Sequence, residues 1–418
     1  MRAVIMTLGT RGDVQPYVAL GQELIKRGHE AVICTGESFK SFIEEYGITF
    51  AKAESDLMAL LKTPEGQAVF NSAGKNIIKT LKYVKEVVNP AFRKSLDDFW
   101  EAAREADVII YHPKAFGAAD MAQLLGIPCI SMPPVPITYP ITEFPNLAVN
   151  PSGDWGKVLN KLSYKFIEKA DASNIKEIND FRNKTLHLPK RKAGEFAYKK
   201  DGKNIPIIYP ISPALFSDVK SWEDKVFLSG FLFLNTKKQE LDNKIQNFLT
   251  DGKKPIIISF SSMPLKEPEV FKEKLIEALK LTNNRAIILT GTSGMHFSGG
   301  HDVLAAEQAP HALLFPKAKG IVHHGGAGTM AAALGSGVPQ LIIPFSADQP
   351  FWANRLYKMG YALKPLRERS CSVQALVLAF QKMDDAAIVG NALAIKGIIE
   401  KENGVKSAVD YIEKVLSD

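Results

Sequence analysis

His323-His324-Gly325-Gly326-Ala327-Gly328-Thr329 follows Gly320-Ile321-Val322 and leads into Met330-Ala331-Ala332-Ala333-Leu334, and its reading decides the fold of this chain. Gly320 to His323 predicts a short buried strand, Gly325, Gly326 and Gly328 a tight loop, and Thr329 to Leu334 the first turns of an Ala-rich helix. Glycines let a backbone approach a ligand closely. The first N–H groups of a helix lack partners and lie at the positive end of its dipole, so such a loop suits phosphate oxygens. His324 and Thr329 would add side-chain donors. The plainer reading is a glycine C-cap and a Thr N-cap in an ordinary α/β unit. The residues downstream weigh against it: Val338 to Pro344 reads as the next parallel strand, and Asp348-Gln349 sits just beyond its carboxyl end, where open α/β sheets bind ligands. A carboxylate beside a carboxamide suits hydrogen bonding to vicinal hydroxyls, and a sugar attached to a phosphate needs both features.

His323-His324-Gly325-Gly326-Ala327-Gly328-Thr329, Gly337-Val338-Pro339 and Pro344-Phe345-Ser346-Ala347-Asp348-Gln349-Pro350-Phe351-Trp352 resemble the donor-binding signature of family-one glycosyltransferases of the GT-B fold. Within that family the resemblance is to the sterol-glucosyltransferase-like and glycopeptide-glycosyltransferase-like branch. It implies an α/β protein of two Rossmann-like parallel-sheet domains facing across a cleft. Donor contacts are then expected from Thr10, Arg11, Gly12, Ser262, Gln308, His324, Gly326, Ala327, Gly328, Thr329, Asp348 and Gln349. Relatives usually carry glycine where this chain has Ser261, and backbone groups around Gln308 to His311 would read the base edge.

A length of 418 residues predicts two domains of about 200 residues each. Apolar content of 46% and charged content of 23% are those of a soluble globular protein. Cys34, Cys129 and Cys371 have neither paired nor metal-ligand spacing, which fits a reduced cytoplasmic setting. A strand beginning directly after Met1 leaves no room for a secretory leader, and no apolar run approaches the roughly 18 residues of a membrane span. The net charge of +7 reads as a solvated lysine-rich surface, and nucleic-acid motifs are absent.

The first fifty residues predict a βαβ unit: Ala3 to Leu8, Val14 to Lys26 and Glu30 to Thr35. Its loop, Gly9-Thr10-Arg11-Gly12-Asp13-Val14-Gln15-Pro16, lacks the third glycine of a dinucleotide fingerprint, and no acidic residue ends the second strand, which excludes a nicotinamide site. Asp13 reads structurally as a helix cap. The resemblance makes it the general base for an acceptor hydroxyl; with no histidine before His29, the carboxylate would act without the imidazole found in this loop of plant members. His112 follows the strand Asp107 to Tyr111, and Pro133, Pro134, Pro136, Pro140 and Pro145 punctuate an apolar loop after the strand Ile127 to Met132. Rigid apolar loops at strand ends make walls for apolar ligands. The resemblance places the acceptor here, with His112, Phe116, Pro134 and Ile137 as contacts.

From Glu54 to Trp100 the pattern is helical, with Ile77, Ile78, Leu81, Val84 and Val88 on one face and Lys75, Lys79 and Lys82 on another. Lys157, Lys161, Lys165 and Lys169 recur at i, i+4 spacing. Two readings stand for these helices, a solvated face or peripheral docking on anionic lipid. Domain 1–220 is expected to hold the acceptor, 221–235 to link, 236–400 to hold the nucleotide sugar, and a last helix in 401–418 to pack back on the first domain.

Inverting transfer of a hexose, glucose from UDP-glucose, to a lipophilic alcohol of sterol, triterpenoid, polyketide or flavonoid type is what the resemblance implies. A monomer is expected. No Asp-x-Asp motif accompanies the glycine loops, so neither an essential metal nor another cofactor is expected. A non-hydrolysing nucleotide-sugar epimerase of the same architecture, and a silent sugar-nucleotide-binding protein, are the alternatives.

Overall fold

The structure is a computed structural model; it describes residues 1–60, 63, 65–66, 82–235, 239–260, 265–291, 295, 297 and 300–417. The chain forms two compact units, one made of 1–149, 154–235 and 403–418, the other of 150–153 and 236–402.

In the first unit, strands β1 (Arg2–Met6), β2 (Glu30–Gly36), β3 (Thr49–Ala53), β4 (Val108–Tyr111) and β5 (Cys129–Ser131) form a parallel sheet in the order β3-β2-β1-β4-β5. After Arg2, β1 is apolar from Ala3 to Met6 and fully buried, because both faces are covered, the usual condition of a parallel strand. Ala3 and Ile5 pack with Tyr17 and Leu20 of helix α1 (Arg11–Lys26), while Val4 and Met6 pack with Leu96 and Phe99 of α2 (Asn89–Ala103). Helices α3 (Ala118–Leu125), α4 (Lys157–Ser163) and α5 (Lys165–Lys184) belong to the same unit. The lysines at 157 to 169 therefore lie on two successive helices that meet at Tyr164, not on one. Positions 75 to 81 of the other basic pattern lie outside the described residues.

Residues 221–235, expected to link the domains, belong to the first unit. Trp222 is buried there against Phe144, Tyr209 and Phe216, and Phe227–Leu228 pairs with Ile208–Tyr209. Aromatic burial of this size fixes a segment instead of leaving it as a tether.

The second unit repeats the plan with α6 (Asn243–Thr250), β6 (Ile256–Ser259), α7 (Pro268–Leu281), β7 (Ala286–Leu289), β8 (Val303–Ala306), β9 (Gly320–His323), α8 (Ala327–Ser336), β10 (Gln340–Ile342), α9 (Gln349–Lys358), α10 (Val373–Lys382) and α11 (Ala386–Glu402). Its sheet order, β8-β7-β6-β9-β10, is that of the first unit over again. Ile256 and Ile258 face one core with Phe271 and Phe380, and Ile257 faces the other with Phe315 and Ala333. Each sheet reverses its winding at one place, between β1 and β4 in the first unit and between β6 and β9 in the second, and it is outside the carboxyl ends of strands at such a place that open α/β sheets bind ligands.

Helix α12 (Gly404–Ser417) returns to the first unit, where Ala408, Val409 and Ile412 join the core containing Ala3 and Ile5. Among the described residues, no helix is long and apolar enough to cross a membrane.

Candidate active site

In the second unit, β9 ends at His323 and α8 begins at Ala327 with Gly326 as its N-cap. The helix starts two residues before the expected Thr329, because Ala327 and Gly328 carry no side chain that competes for the helical backbone. Gly328 is thus helical and Thr329 is the third residue of the first turn, buried instead of capping. The N–H groups of Ala327, Gly328 and Thr329 open the helix without intrahelical acceptors.

His323 sets the turn from behind. Its Nδ1 accepts the Gly325 N–H at 3.1 Å, which leaves the proton on Nε2 to face Gln340 Oε1 at 2.8 Å. Burial pushes its pKa down to about 3. Sequence reasoning gave His323 no role beyond its strand, and the polar Gln340 inside an apolar strand was the available signal. His324 is 6% exposed and lies parallel to the Phe345 ring. Burial pushes it down to about 4, against a smaller upward pull from the Ser259 backbone. Without a ligand it is an uncharged hydrogen-bonding group at neutral pH. Its Nδ1 is buried without a hydrogen-bond partner, and a buried polar atom of this kind is normally satisfied.

Asp348 and Gln349 lie beyond β10 but are partly spent on their own turn. Gln349 Oε1 accepts the N–H groups of Phe345 at 2.8 Å and Ser346 at 3.2 Å, and Asp348 Oδ2 accepts Trp352 Nε1–H at 2.6 Å. What Gln349 retains for a ligand is its carboxamide NH2. Ala347, directly before them, has a φ of +54°, a left-handed conformation that a side chain disfavours. Gln308 is exposed in the loop after β8, close in sequence to His311, whose Nε2 lies 3.2 Å from Ser259 Oγ. Ser262 lies outside the described residues.

In the first unit, α1 begins at Arg11, so Gly12 and Asp13 are in its first turn and the loop after β1 is shorter than expected. Asp13 folds back on the loop: its Oδ2 accepts the Thr10 N–H at 2.8 Å, which with the Thr10 side chain facing the Asp13 N–H makes a capping box, and it also accepts Thr10 Oγ1–H at 3.2 Å. Gly9 has a φ of +141°, and a Cβ there would collide with the Asp13 carboxylate, so only glycine admits this fold-back. Arg11 lies over the Phe42 ring at 4.4 Å and bonds Gln15.

The carboxylate does not stand without an imidazole. His112, immediately after β4, brings Nε2 to 3.2 Å from Asp13 Oδ1. The Lys114 N–H donates to His112 Nδ1 at 3.0 Å, so the ring proton is on Nε2, facing Asp13. Lys114 Nζ lies 3.2 Å from Asp13 Oδ2. Burial pushes the Asp13 pKa up, but His112, the Lys114 charge and the Thr10 N–H together outweigh it and hold the carboxyl well below its ordinary range. Burial likewise lowers the pKa of His112, more than Asp13 raises it. The sequence hid this pair because its members are 99 residues apart and join only through the β1–β4 pairing.

Of the expected acceptor contacts, Phe116 packs edge-on to Phe92 at the margin of the core. Pro134 and Ile137 are half-buried in the loop after β5. Tyr209 Oη accepts the N–H groups of Thr138 and Tyr139, and Asn146 Nδ2–H donates to Ile137 O at 2.8 Å, braces that sequence reasoning missed. Among the described residues, no three His, Cys, Asp or Glu side chains gather as metal ligands.

Two parallel sheets of identical winding define the architecture of a GT-B glycosyltransferase, and solved structures share it. The kitacinnamycin glycotransferase superposes with a TM-score of 0.73 at 18% identity, covering 99% of this chain and 98% of that one. VinC in complex with DTDP gives 0.66 at 17% identity, with both chains covered completely at 100%. Family models match in two places, the glycosyltransferase family 28 N-terminal domain over 3–118 and the erythromycin biosynthesis protein CIII-like C-terminal domain over 295–396. A sterol 3-beta-glucosyltransferase of Arabidopsis thaliana is 33% identical over 100% of this chain and 66% of its own length, and a second from the same plant is 31% identical over 100% and 68%. That of Yarrowia lipolytica is 31% identical over 100% of this chain, which spans only 29% of that protein. The chain belongs to the family-one GT-B glycosyltransferases.

Proposed function

We propose that this protein transfers glucose from UDP-glucose to the hydroxyl of a lipophilic alcohol of the sterol type, inverting the anomeric configuration. Asp13 carries the reading. Its Oδ2 is already occupied by Thr10 and Lys114, so Oδ1, which meets only His112, has capacity left to accept the alcohol's proton. A carboxylate held this far below its ordinary pKa is a weak base. It takes the proton as the new C–O bond forms and the hydroxyl becomes acidic, not before. The oxygen attacks C1 of the sugar opposite the departing diphosphate, so an α-linked donor gives a β-glycoside. The leaving group is stabilised by the opening N–H groups of α8 and by neutral His324, and Gln349 with Asp348 holds the sugar hydroxyls. His112 is a positioning residue, because both its nitrogens are engaged.

The names of the relatives support the acceptor class. The absence of an Asp-x-Asp motif supports catalysis without a divalent ion, and activity that survives EDTA is the expected outcome. A cytoplasmic enzyme in peripheral contact with a membrane fits a lipophilic acceptor. The test is to incubate the protein with UDP-glucose and a panel of sterols and other lipophilic alcohols and follow products by mass spectrometry. UDP release only when an alcohol is present, with a hexosyl product, is expected; acceptor-independent conversion of the donor would identify an epimerase instead, and binding without turnover a silent nucleotide-sugar binder.

A further inference from the structure

We infer that the segment from Trp155 to Lys169 is a docking surface for an anionic lipid bilayer. Trp155, Val158, Leu159, Leu162 and Phe166 are 46%, 72%, 54%, 48% and 42% exposed, although soluble proteins bury most side chains of this kind. They recur at spacings of three and four, which gathers Val158, Leu159 and Leu162 on one side of α4. The helix is thus amphipathic with its apolar side outward, the reverse of what core packing requires. Opposite positions do the core work: Asn160 is buried, its Nδ2 donating to Thr142 O and Asp154 Oδ1, and Tyr164 is buried at the junction with α5.

Charge identifies the occupant. Lys157, Lys161, Lys165 and Lys169 are exposed and alternate with these apolar side chains, and only Glu168 opposes them in the segment. Among the described residues, none of the four lysines has an ion-pair partner. A Trp at the edge, aliphatic side chains that insert to headgroup depth, and lysines that reach anionic headgroups are the parts of an interfacial helix. Val158 and Leu162 also wall a recess of about 380 Å3 with Pro140, Tyr164 and Tyr198, and Lys157, Lys161, Lys165 and Glu168 line it as well, so apolar and basic side chains share one concave surface beside the helix. A second copy of the chain would bring lysines against lysines; an anionic bilayer opposes them with the complementary sign.

This surface deepens the proposed action on a lipophilic alcohol, which dissolves in the same bilayer, but its test does not depend on turnover. The whole protein is floated with vesicles of phosphatidylcholine alone and of phosphatidylcholine with phosphatidylserine, at about 0.15 M salt. Binding to the anionic vesicles only is expected. The Lys157→Glu/Lys161→Glu variant should reduce that partitioning by at least about 25-fold, at roughly fivefold per lysine even before the reversed charges repel. Val158→Asp/Leu159→Asp should abolish it, with melting temperature unchanged in both because the side chains are exposed. Glucosylation of a water-soluble alcohol should persist in both variants. No vesicle binding, or binding that both variants retain, overturns the proposal, as does loss of a dimer in Val158→Asp/Leu159→Asp, which would assign the face to a second copy. A protein that binds vesicles but transfers no sugar would overturn the reaction and leave the surface standing.

Discussion

Asp13 holds a structural position in the first turn of α1, and variants separate it from the chemical role proposed for the same carboxylate. Asp13→Asn keeps the shape of the side chain but cannot take a proton; turnover should fall at least about 100-fold while UDP binding, measured by calorimetry, is unchanged. Near-normal turnover would remove Asp13 as the base. Asp13→Ala also loses the capping box and should cost about 1 kcal/mol of stability in denaturant titrations, so folding is not untouched by that change. The pH profile tests the positioning role of His112. Asp13 has a depressed folded pKa, so its contribution to stability is complete above its ordinary value of 3.8 and fades as pH falls through the folded value. The rate should likewise show no acid limb from Asp13 in the range where carboxylates ordinarily protonate. In His112→Ala the imidazole donor is gone, and the acid limb of kcat/KM should move upward; an unmoved limb would assign His112 to packing alone. Ala347 offers a test of strain. Its left-handed φ of +54° is costly for any residue with a Cβ, and Ala347→Gly should raise stability by about 0.5–1 kcal/mol.

At the scale of elements, the strand–glycine turn–helix unit was legible because its signals are local. Apolar runs gave the strands, and β9 fell on Gly320–His323 as read, with glycine and alanine marking the turn. The same letters misplaced the start of α8, since Thr before a helix resembles a cap whichever turn it occupies. Contacts between distant segments were not legible. Asp120 is clasped by Arg182 at 2.5 Å and Arg191 at 2.8 Å, and Arg191 also meets Asp171 at 2.7 Å, all buried. Nothing in the periodicity of α3 or α5 pairs those charges. The β9–α8 turn carries its own prediction. A Cβ at Gly326 would come within 2.5 Å of His324 Nε2, so Gly326→Ala should displace that imidazole. Both Gly326→Ala and His324→Ala are expected to weaken UDP binding in calorimetry by at least tenfold, about 1.4 kcal/mol. Unchanged affinity in His324→Ala would contradict the contact with the diphosphate proposed for it.

At the scale of the whole molecule, the chain builds most of the first unit, leaves it after Asn235 to form the second, and comes back at Asn403. The last helix is therefore part of the first unit's core, distant in sequence from everything it touches. Val409 and Ile412 are fully buried, Tyr411 stacks on Phe227 at 4.6 Å, and Arg27 reaches Asp410 at 2.6 Å and Glu413 at 2.9 Å. The ion pairs lie at the surface, within reach of solvent, and contribute little. The two aliphatic side chains contribute about 1.5–3 kcal/mol each. Truncation after Asn403 should thus lower the melting transition of the first unit by about 10 °C, at roughly 2–4 °C per kcal/mol for a unit of this size. The transition of the second unit, and the UDP binding proposed for the β9–α8 turn, should be unchanged. Scanning calorimetry with and without UDP distinguishes the two transitions, because the ligand raises only the one that binds it. Equal shifts of both would mean that α12 stabilises the molecule as one cooperative body, and no shift would mean that its buried face contributes nothing to folding.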